Sequence, residues 1–572
     1  MIGRHLVPMS TLLLFACVSQ PEPWSPDGST VEDNDFAGQR ADGYGAIDGA
    51  PLGTDGVTSD MRSEDALAGP DSMDLGEVFD SVSPLDAIYE VADGSCEPAC
   101  GGLVCGPDGC GGSCGECEPG AGCHEGICVG LPYHLWSKGI ASSVDEQVRG
   151  FVGQSDGSFF IVGHSTQDTV NMGGLPITLQ GQGGMIVARF GPAGDHIWSG
   201  GFSGPGMDYA SAAGGDELGN FYVTGWTDSN SINFGSGPLE SSGATSKDVV
   251  VFALKGDGNL KWAKRFGGGY DETGEAISVA KDGLYLAGEA STLLSLGGPD
   301  LGLTSWGGDV FVAKLGLDGA HVWSSGFSVA GGTGKVRGLS SNNKRAVVVG
   351  LYSTKGLDFG GGPLPFGSFP GPTNAFLTSF SASGSYEWSV GFGSDKNVEA
   401  RAVSLTPDGV AFVTGTFQSS SLQLAGSLLA NPTPDTDQLF LARFEPDGSP
   451  TWAIALGGPK SEYTRSIYVD GPSNVYLTGQ YSGSYATFGG EALADAPYTG
   501  VYLAKFGPGG GHVWSTGFPC ASTSCMGYGM HVGASGQLLL VGHGKGTELS
   551  LGGDPIKYDS LGHHPFFAEF IQ

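Results

Sequence analysis

The sequence predicts an all-β fold, a seven-bladed β-propeller whose last blade is completed by the first strand of the repeat region. Three observations carry that expectation. Seven tryptophans, Trp136, Trp198, Trp262, Trp323, Trp388, Trp452 and Trp514, recur at separations of 62, 64, 61, 65, 64 and 62 residues. A second marker keeps step: Met172, Phe234, Leu296, Phe359, Leu424, Phe488 and Leu551 precede a glycine hook and follow their tryptophans by 34 to 37 residues. Two markers in register over seven copies identify a repeat architecture before any single site is read. Third, the array is split in a complementary way, opening on a tryptophan strand, HLWSKG, and ending on the strand around Phe566 to Phe570 with no tryptophan strand after it.

Within one period, ARAVSLTPDGVAFVTGTF, DQLFLARFEPDG and PTWAIALGG read as four strands. Their alternating Val, Leu, Phe and Ala residues place one face in a core, and the PDG, DG and SG pairs supply turns. No unit holds the uninterrupted helical pattern that a βαβ crossover requires, so a parallel α/β fold is disfavoured. Four antiparallel strands repeated radially make a propeller blade. Residues 133 to 140 are expected to pair antiparallel with the strand at Phe566 to Phe570 and so satisfy two open edges at once. An open solenoid, the alternative, gives no reason for the complementary split. The tryptophans are expected to be structural, packing between blades as large apolar bodies rather than forming a carbohydrate platform.

Upstream of the repeats the chain has three further segments. Residues 1–17, MIGRHLVPMSTLLLFAC, combine a weakly basic start with an apolar run too short to span a membrane and read as an export signal. This stretch resembles a bacterial lipoprotein signal, which makes LFAC the lipobox and Cys17 the lipid-bearing first mature residue. Phe15 is bulkier than that pattern usually has, and ordinary secretion is the alternative. Residues 18–95 carry Arg40 and Arg62 as their only fixed positive charges among many acids and small residues. Such a composition buries too little apolar area to order its backbone and reads as a flexible acidic spacer.

Residues 96–128 hold eight cysteines, Cys96, Cys100, Cys105, Cys110, Cys114, Cys117, Cys123 and Cys128, and the last repeat adds Cys520 and Cys525. Setting Cys17 aside leaves two even groups, read as four local disulfides and one loop staple in an exported protein. Zinc is the rival because Cys114 and Cys117 form a CxxC, but the crowded cysteines do not separate into two ligand pairs.

Residues 133–572 complete the organisation. The stretches GFGSDKNVEARAVSLTPDGVAFVTGTF and TDQLFLARFEPDGSPTWAIALGG, with their counterparts over more than three quarters of the chain, resemble bacterial surface lipoproteins bearing SBBP propeller repeats. The cysteine module with CGPDGCGGSCGEC resembles short modules beside propellers in such surface proteins. The resemblance implies an outer-membrane location, since Val18 is not the aspartate associated with inner-membrane retention. It implies an acidic residue before each LFLARF-type strand, matched by Asp248, Asp309 and Asp437, approximated by Asn374 and missing near Gly184 and Thr499. That pattern favours a structural turn residue over a seven-fold metal site.

Charge and motifs then bound function. A net charge of −34, from 26 basic and 60 acidic residues, opposes a nucleic-acid partner. The residues after the VxG strand signature are His164, Trp226, Glu289, Leu351, Thr416, Gln480 and His543. Two of these histidines fall in neighbouring blades, and His531, His563 and His564 add imidazoles. They would hold a transition metal only if the rings converged, and surface or loop positions are the plainer expectation. Glu272 and Glu275, beside Asp271, are expected in a solvated blade-edge loop. GGTGKVRG lacks the phosphate-loop pattern, the GxSxG matches GQSDG and GGSCG are not nucleophile elbows between a strand and a helix, and no HExxH occurs. The expected function is a noncatalytic cell-surface scaffold or recognition protein that binds a protein or glycan through propeller loops and needs no cofactor. The alternative is an extracellular polymer-degrading hydrolase or lyase, and a plain structural spacer is a third possibility.

Overall fold

The computed structural model describes residues 105, 115, 117, 121–124 and 127–572, apart from loop residues 141–145, 242–245, 292–293, 305–307, 330, 367–370, 521–523, 534–535, 547 and 559–561. The expectations for residues 1–17 with Cys17, for 18–95, and for Cys96, Cys100, Cys110 and Cys114 lie outside the described residues. Cys105 is bonded to Cys123 and Cys117 to Cys128, beside a short hairpin of Ala121–His124 and Ile127–Gly130; Cys520 is bonded to Cys525.

Seven four-stranded antiparallel sheets form the blades. Their innermost strands are Glu146–Gly153, Asp208–Gly215, Thr273–Ala280, Gly334–Ser341, Val398–Leu405, Tyr463–Val469 and Ser524–Val532. Each packs beside the next, and the last packs against the first, so the array is a closed ring and not an open stack. The seventh sheet runs outward from Ser524–Val532 through Gln537–Lys545 and His563–Ile571 to Tyr133–Gly139. Gly139 pairs with Phe566 and His134 with Phe570, the pairing expected from the split array. Turns between first and second and between third and fourth strands lie at one end of the ring, here the turn face. Glycine hooks between second and third strands, with the links between blades, lie at the other, the hook face.

The core lies between blades. Seven clusters of buried apolar side chains each draw on two adjacent blades. At the closure, Phe567 of blade seven packs against Phe159 and Phe190 of blade one, with ring centroids 4.9 and 4.7 Å apart. Removal of apolar surface from water is the main driving force for such packing. Backbone bonds add direction: the amides of Asp208, Glu272, Gly334, Val398 and Glu462 donate at 2.8 to 3.3 Å to carbonyls of Gly183, Lys247, Gly308, Thr373 and Asp437 in the preceding blade.

The marker tryptophans form a clasp and mostly flank the core instead of filling it. Each sits in an outermost strand, and only Trp388 and Trp514 are buried. The indoles of Trp198, Trp262, Trp323, Trp388 and Trp452 donate to carbonyls of Gly256, Leu317, Ala382, Pro446 and Pro508, each in the third-to-fourth turn of the following blade. The ring lies flat on a turn glycine there. Gly258 has φ +86°, and a Cβ on it would come within 3.0 Å of Trp198, so both its conformation and its neighbour require glycine.

Candidate functional site

Every innermost strand carries a β-bulge near its hook-face end, and the register shifts leave one residue unpaired in each: Arg149, Ser211, Glu275, Arg337, Arg401, Arg465 and Tyr528. A bulge re-aims a side chain at the point where the ladder is interrupted. Here the re-aimed residues circle the axis and reach toward the next blade. Arg149 lies 5.2 Å from the Tyr209 ring centroid, Arg401 5.4 Å from that of Tyr463 and Arg465 5.6 Å from that of Tyr528. Glu399 sits 3.1 Å from the Arg401 guanidinium and 3.9 Å from that of Arg337. The residues after VxG complete the belt from the second strands: Glu289 pairs with Thr273, Leu351 with Lys335 and Thr416 with Glu399.

The belt corrects the expectation for the acids. Glu272 and Glu275 are 0 % and 2 % exposed, not solvated. Burial raises the Glu275 carboxyl, opposed by a hydrogen bond from Thr273 and the charges of Arg337, Lys335 and Lys247. Burial, reinforced by Glu275, pushes Glu289 up to about 7. Glu272 belongs to a different series, the position just before the belt, where blades two, three and six bury Asp208, Glu272 and Glu462. Burial pushes Glu272 up to about 7 and Glu462 up to about 8. Sequence reading missed both series because a bulge breaks the two-residue alternation by which strand faces are assigned. The available signal was the arginine shared by QVRG, KVRG, EARA and YTRS.

The acidic residue before the third strand also shifts. Strand pairing aligns Gly184, Asp248, Asp309, Asn374, Gln438 and Gly500, so Asp437 is one residue out of register. The aligned acids do structural work. Asp248 holds Arg265 at 2.6 Å, both side chains buried, and Asp309 accepts from the Val329 amide at 2.7 Å.

Among the described residues no three of the histidines converge, although His543 and His563 meet with ring centroids 5.0 Å apart. His164 packs on Tyr209 at 4.2 Å, His543 lies between Tyr528 and His563, and His564 stacks on Tyr558 at 4.5 Å. His531, His543 and His564 are buried, not at the surface as expected. Among the described residues, the one group of three candidate ligands with donor atoms within 4.8 Å is Cys105, Cys117 and Cys128, whose sulfurs are all in disulfides.

A second histidine series went unread. His196, His321 and His512 lie two residues before a tryptophan, and each Nε2 is 2.9 to 3.0 Å from a serine hydroxyl, on Ser199, Ser324 and Ser515. These pairs have the look of a base and a nucleophile, but they recur around the ring, and Tyr386 with Ser389 replaces one of them in blade four. A Cβ on Gly174, Gly298 or Gly490 would meet the imidazole at 2.3 to 2.4 Å. The histidine therefore pins the glycine hook to its own blade, which explains both the hook and its spacing.

On the turn face a cleft of about 340 Å³ spans the first-to-second turns of blades two to five. Its wall mixes apolar Leu218, Val279, Leu317 and Pro407 with Asp216, Glu217, Lys281 and Lys344 and the amides Asn342 and Asn343. Leu218 is 86 % exposed. Asn342 donates to the Thr406 carbonyl at 3.2 Å and accepts from the Lys344 amide, so the floor is tied across blades. The Ser341 hydroxyl donates to that of Ser278 at 2.8 Å.

No family model matches the chain. An uncharacterised WD repeat-containing protein of Acanthamoeba polyphaga mimivirus is 22 % identical over 157 residues, 25 % of this chain. The matched part spans about a tenth of that relative, 11 % of its length. Among solved structures, the WD40 β-propeller domain of Doa1 aligns over 77 % of this chain and 97 % of its own, with 9 % identity and a TM-score of 0.39. The Neurospora crassa Pan2 WD40 domain aligns over 60 % of this chain and 94 % of its own, with 10 % identity and a TM-score of 0.30. The fold assignment accordingly stands on the chain's own strand order: a closed, seven-bladed, all-β propeller with a disulfide-bonded cysteine cluster before it.

Proposed function

We propose that this protein is a noncatalytic recognition protein of a cell surface that engages a protein or glycan through its propeller turns. The observation that carries the reading is the turn-face cleft, about 340 Å³ and assembled from four blades, whose wall sets apolar Leu218, Val279, Leu317 and Pro407 among charged and amide side chains. That composition suits ligand binding, in which apolar contact supplies area and placed polar groups supply orientation. Placement at the surface rests on the N-terminal sequence alone: Cys17 as the lipid-bearing residue, residues 18–95 as a spacer, and membrane attachment through the lipid. Durable anchoring requires more than one acyl chain. Intact-mass measurement on membrane fractions should find Cys17 acylated, and an unmodified chain recovered only from the medium would overturn the anchor.

A polymer-degrading hydrolase or lyase is the second reading, favoured by one observation: Glu289, near neutrality at about 7, stands beside a raised Glu275. One experiment separates the two. The protein is incubated with isolated cell envelopes and with purified extracellular polysaccharides, and both retention and released product are measured. Recognition predicts retention without product, weakened by Leu218→Asp. Appearance of new polymer ends, abolished by Glu289→Gln, would sink it in favour of the enzyme.

A further inference from the structure

Blade six departs from the other blades at the hook face. Its third strand, Ala496–Phe506, is the longest among the described residues, and its second strand, Val475–Gly483, extends with it. The added pair is Gly483 with Ala496, set beyond Tyr481 with Gly500 by a bulge that leaves Pro497, Tyr498 and Thr499 opposite Ser482 alone. A bulge re-aims side chains, and Tyr498 is 57 % exposed. On the other arm of the hook, Tyr485 is 76 % exposed at φ +71°. These are the two most exposed aromatic rings among the described residues. The amides of Leu364 and Leu493 donate to the carbonyls of Leu357 and Ala486, which aligns Tyr485 with Gly356 of blade four. Gly356 has φ +96° and open space where a Cβ would stand. Glycine therefore meets the backbone requirement of this turn, and a bulky ring in its place is strained without filling the core.

The hairpin that carries both rings is tied at several points. The Tyr481 phenol donates to the Ala494 carbonyl at 2.8 Å, and the Ser484 hydroxyl donates to Asp495 at 2.6 Å. Thr499, next to Tyr498, accepts from the Cys520 amide on its carbonyl at 2.9 Å and from the Cys525 amide on its hydroxyl at 3.0 Å, and those two cysteines are bonded to each other. Groups fixed before binding lose less freedom when a ligand arrives. At these exposures the two rings offer roughly 250 Å², well short of the about 800 Å² per partner of a stable protein interface. Their surroundings are polar, with Thr487, Glu491 and Asp495 exposed. Asp495 retains acceptor capacity beyond its bond from Ser484. Aromatic faces beside hydroxyl and carboxylate oxygens match a sugar ring, which presents C–H faces and hydroxyl edges. The net charge of −34 opposes an acidic polymer. We infer that the hook of blade six is a binding site for a neutral glycan, stacked on Tyr485 and Tyr498 and hydrogen-bonded through sugar hydroxyls to Asp495. The site lies on the hook face, opposite the turn-face cleft, and does not depend on that cleft binding anything.

Calorimetric titration of the full chain with cellohexaose, chitohexaose and mannohexaose, and with hexagalacturonate as the acidic comparison, tests the assignment. Saturable binding of at least one neutral hexaose is expected, weakened about tenfold or more by Tyr485→Gly and severalfold by Tyr498→Ala. Tyr485→Phe, which keeps the ring, should bind within a few-fold of the wild-type chain. Tyr485→Gly is the decisive variant, because glycine relaxes the backbone at this position: its thermal midpoint should be unchanged or raised while binding is lost. A clearly lowered midpoint would show that the ring serves the fold and would overturn the inference. So would hexaose binding that survives Tyr485→Gly but is lost in Leu218→Asp, which would move the glycan to the turn-face cleft. Tighter binding of hexagalacturonate than of every neutral hexaose would reject the ligand class. Absence of saturable binding of all three neutral hexaoses at millimolar concentration, with the fold intact by circular dichroism, would reject the site.

Discussion

Trp198 and Trp514 occupy the same place in their repeats but make different ends of the same device. The Trp198 indole donates to the Gly256 carbonyl at 2.8 Å and its ring lies on the Gly258 turn of the next blade. The Trp514 indole nitrogen is buried without a hydrogen bond. The reason is topological. Trp514 faces blade seven, whose third and outermost strands come from positions 433 residues apart, as at Trp136 and Glu569, so no tight turn exists there to offer a carbonyl. Trp136 then finds its acceptor within its own sheet, on Glu569 at 2.7 Å, while its ring still meets Gly194 of blade one. Five interfaces are thus clasped by backbone, and the two that flank the closing blade rely on strand pairing, aromatic packing, a side-chain carboxylate and, between blades six and seven, the Gln572 side chain, which accepts from Tyr476 and Lys505. Closing a ring with strands distant in sequence gives up local turns and gains a joined edge.

The sharpest way to break this contrast is to delete the closing strand, residues 133–139. The edge of His563–Ile571 loses its partner, and the expected loss of unfolding free energy is above about 5 kcal/mol, beyond what single substitutions usually cost. Hydrogen exchange should rise in His563–Ile571 and Gln537–Lys545 well before Asp248–Leu254. Equal exchange in both blades would show that the seam is no weaker than the clasped interfaces.

Phe567→Ala should cost about 3 to 5 kcal/mol in urea unfolding, the usual range for a buried aromatic, because its ring fills the contact between blades seven and one. Phe252→Ala, inside a clasped interface, provides the comparison. A much smaller loss at Phe567 would mean that the seam repacks more freely than the regular contacts.

The third test concerns the position before the belt, where blade six buries Glu462 and blade seven instead places Cys525 of the disulfide. Burial pushes Glu462 up to about 8, above its unfolded value near 4.5. The folded state then holds a proton that the unfolded state releases, so this group's contribution falls as pH rises from about 4.5 to about 8 and is level beyond. Glu462→Gln should therefore gain about 1 to 3 kcal/mol above pH 8, with the difference from wild type shrinking to nothing toward pH 4.5. Melting curves at both ends of that window decide it, and a variant less stable at pH 8 would show the carboxylate to be held by partners rather than penalised.

The smallest effect discriminates most finely. Trp198→Phe should lose about 1 kcal/mol more than Trp514→Phe, because only the first substitution removes a hydrogen bond. Matching losses at the two sites would mean that ring packing alone sets the value of the clasp.

The expected blade count, the antiparallel blade and the pairing of residues 133–140 with Phe566 to Phe570 agree with the observed fold, because each is written in spacing. A strand of fixed pitch repeated at a fixed interval must present its markers at that interval, and edge satisfaction then dictates how a split array closes. The histidine pins were equally local and would have been legible from the recurring HxWS.

What the sequence by itself determined, then, is the set of relations between neighbours in the chain: the repeat, the four strands, their turns and the seam. Tertiary structure alone decided relations between residues about 60 positions apart that meet across a blade interface. It turned Glu272 and Glu275 from an expected solvated loop into buried acids, moved the aligned position from Asp437 to Gln438, and gathered arginines from four strands around one axis. The physical reason is the bulge. One unpaired residue in each innermost strand changes which side chains face the axis and which face the core, and the recurring arginine marks the position without saying which way it faces.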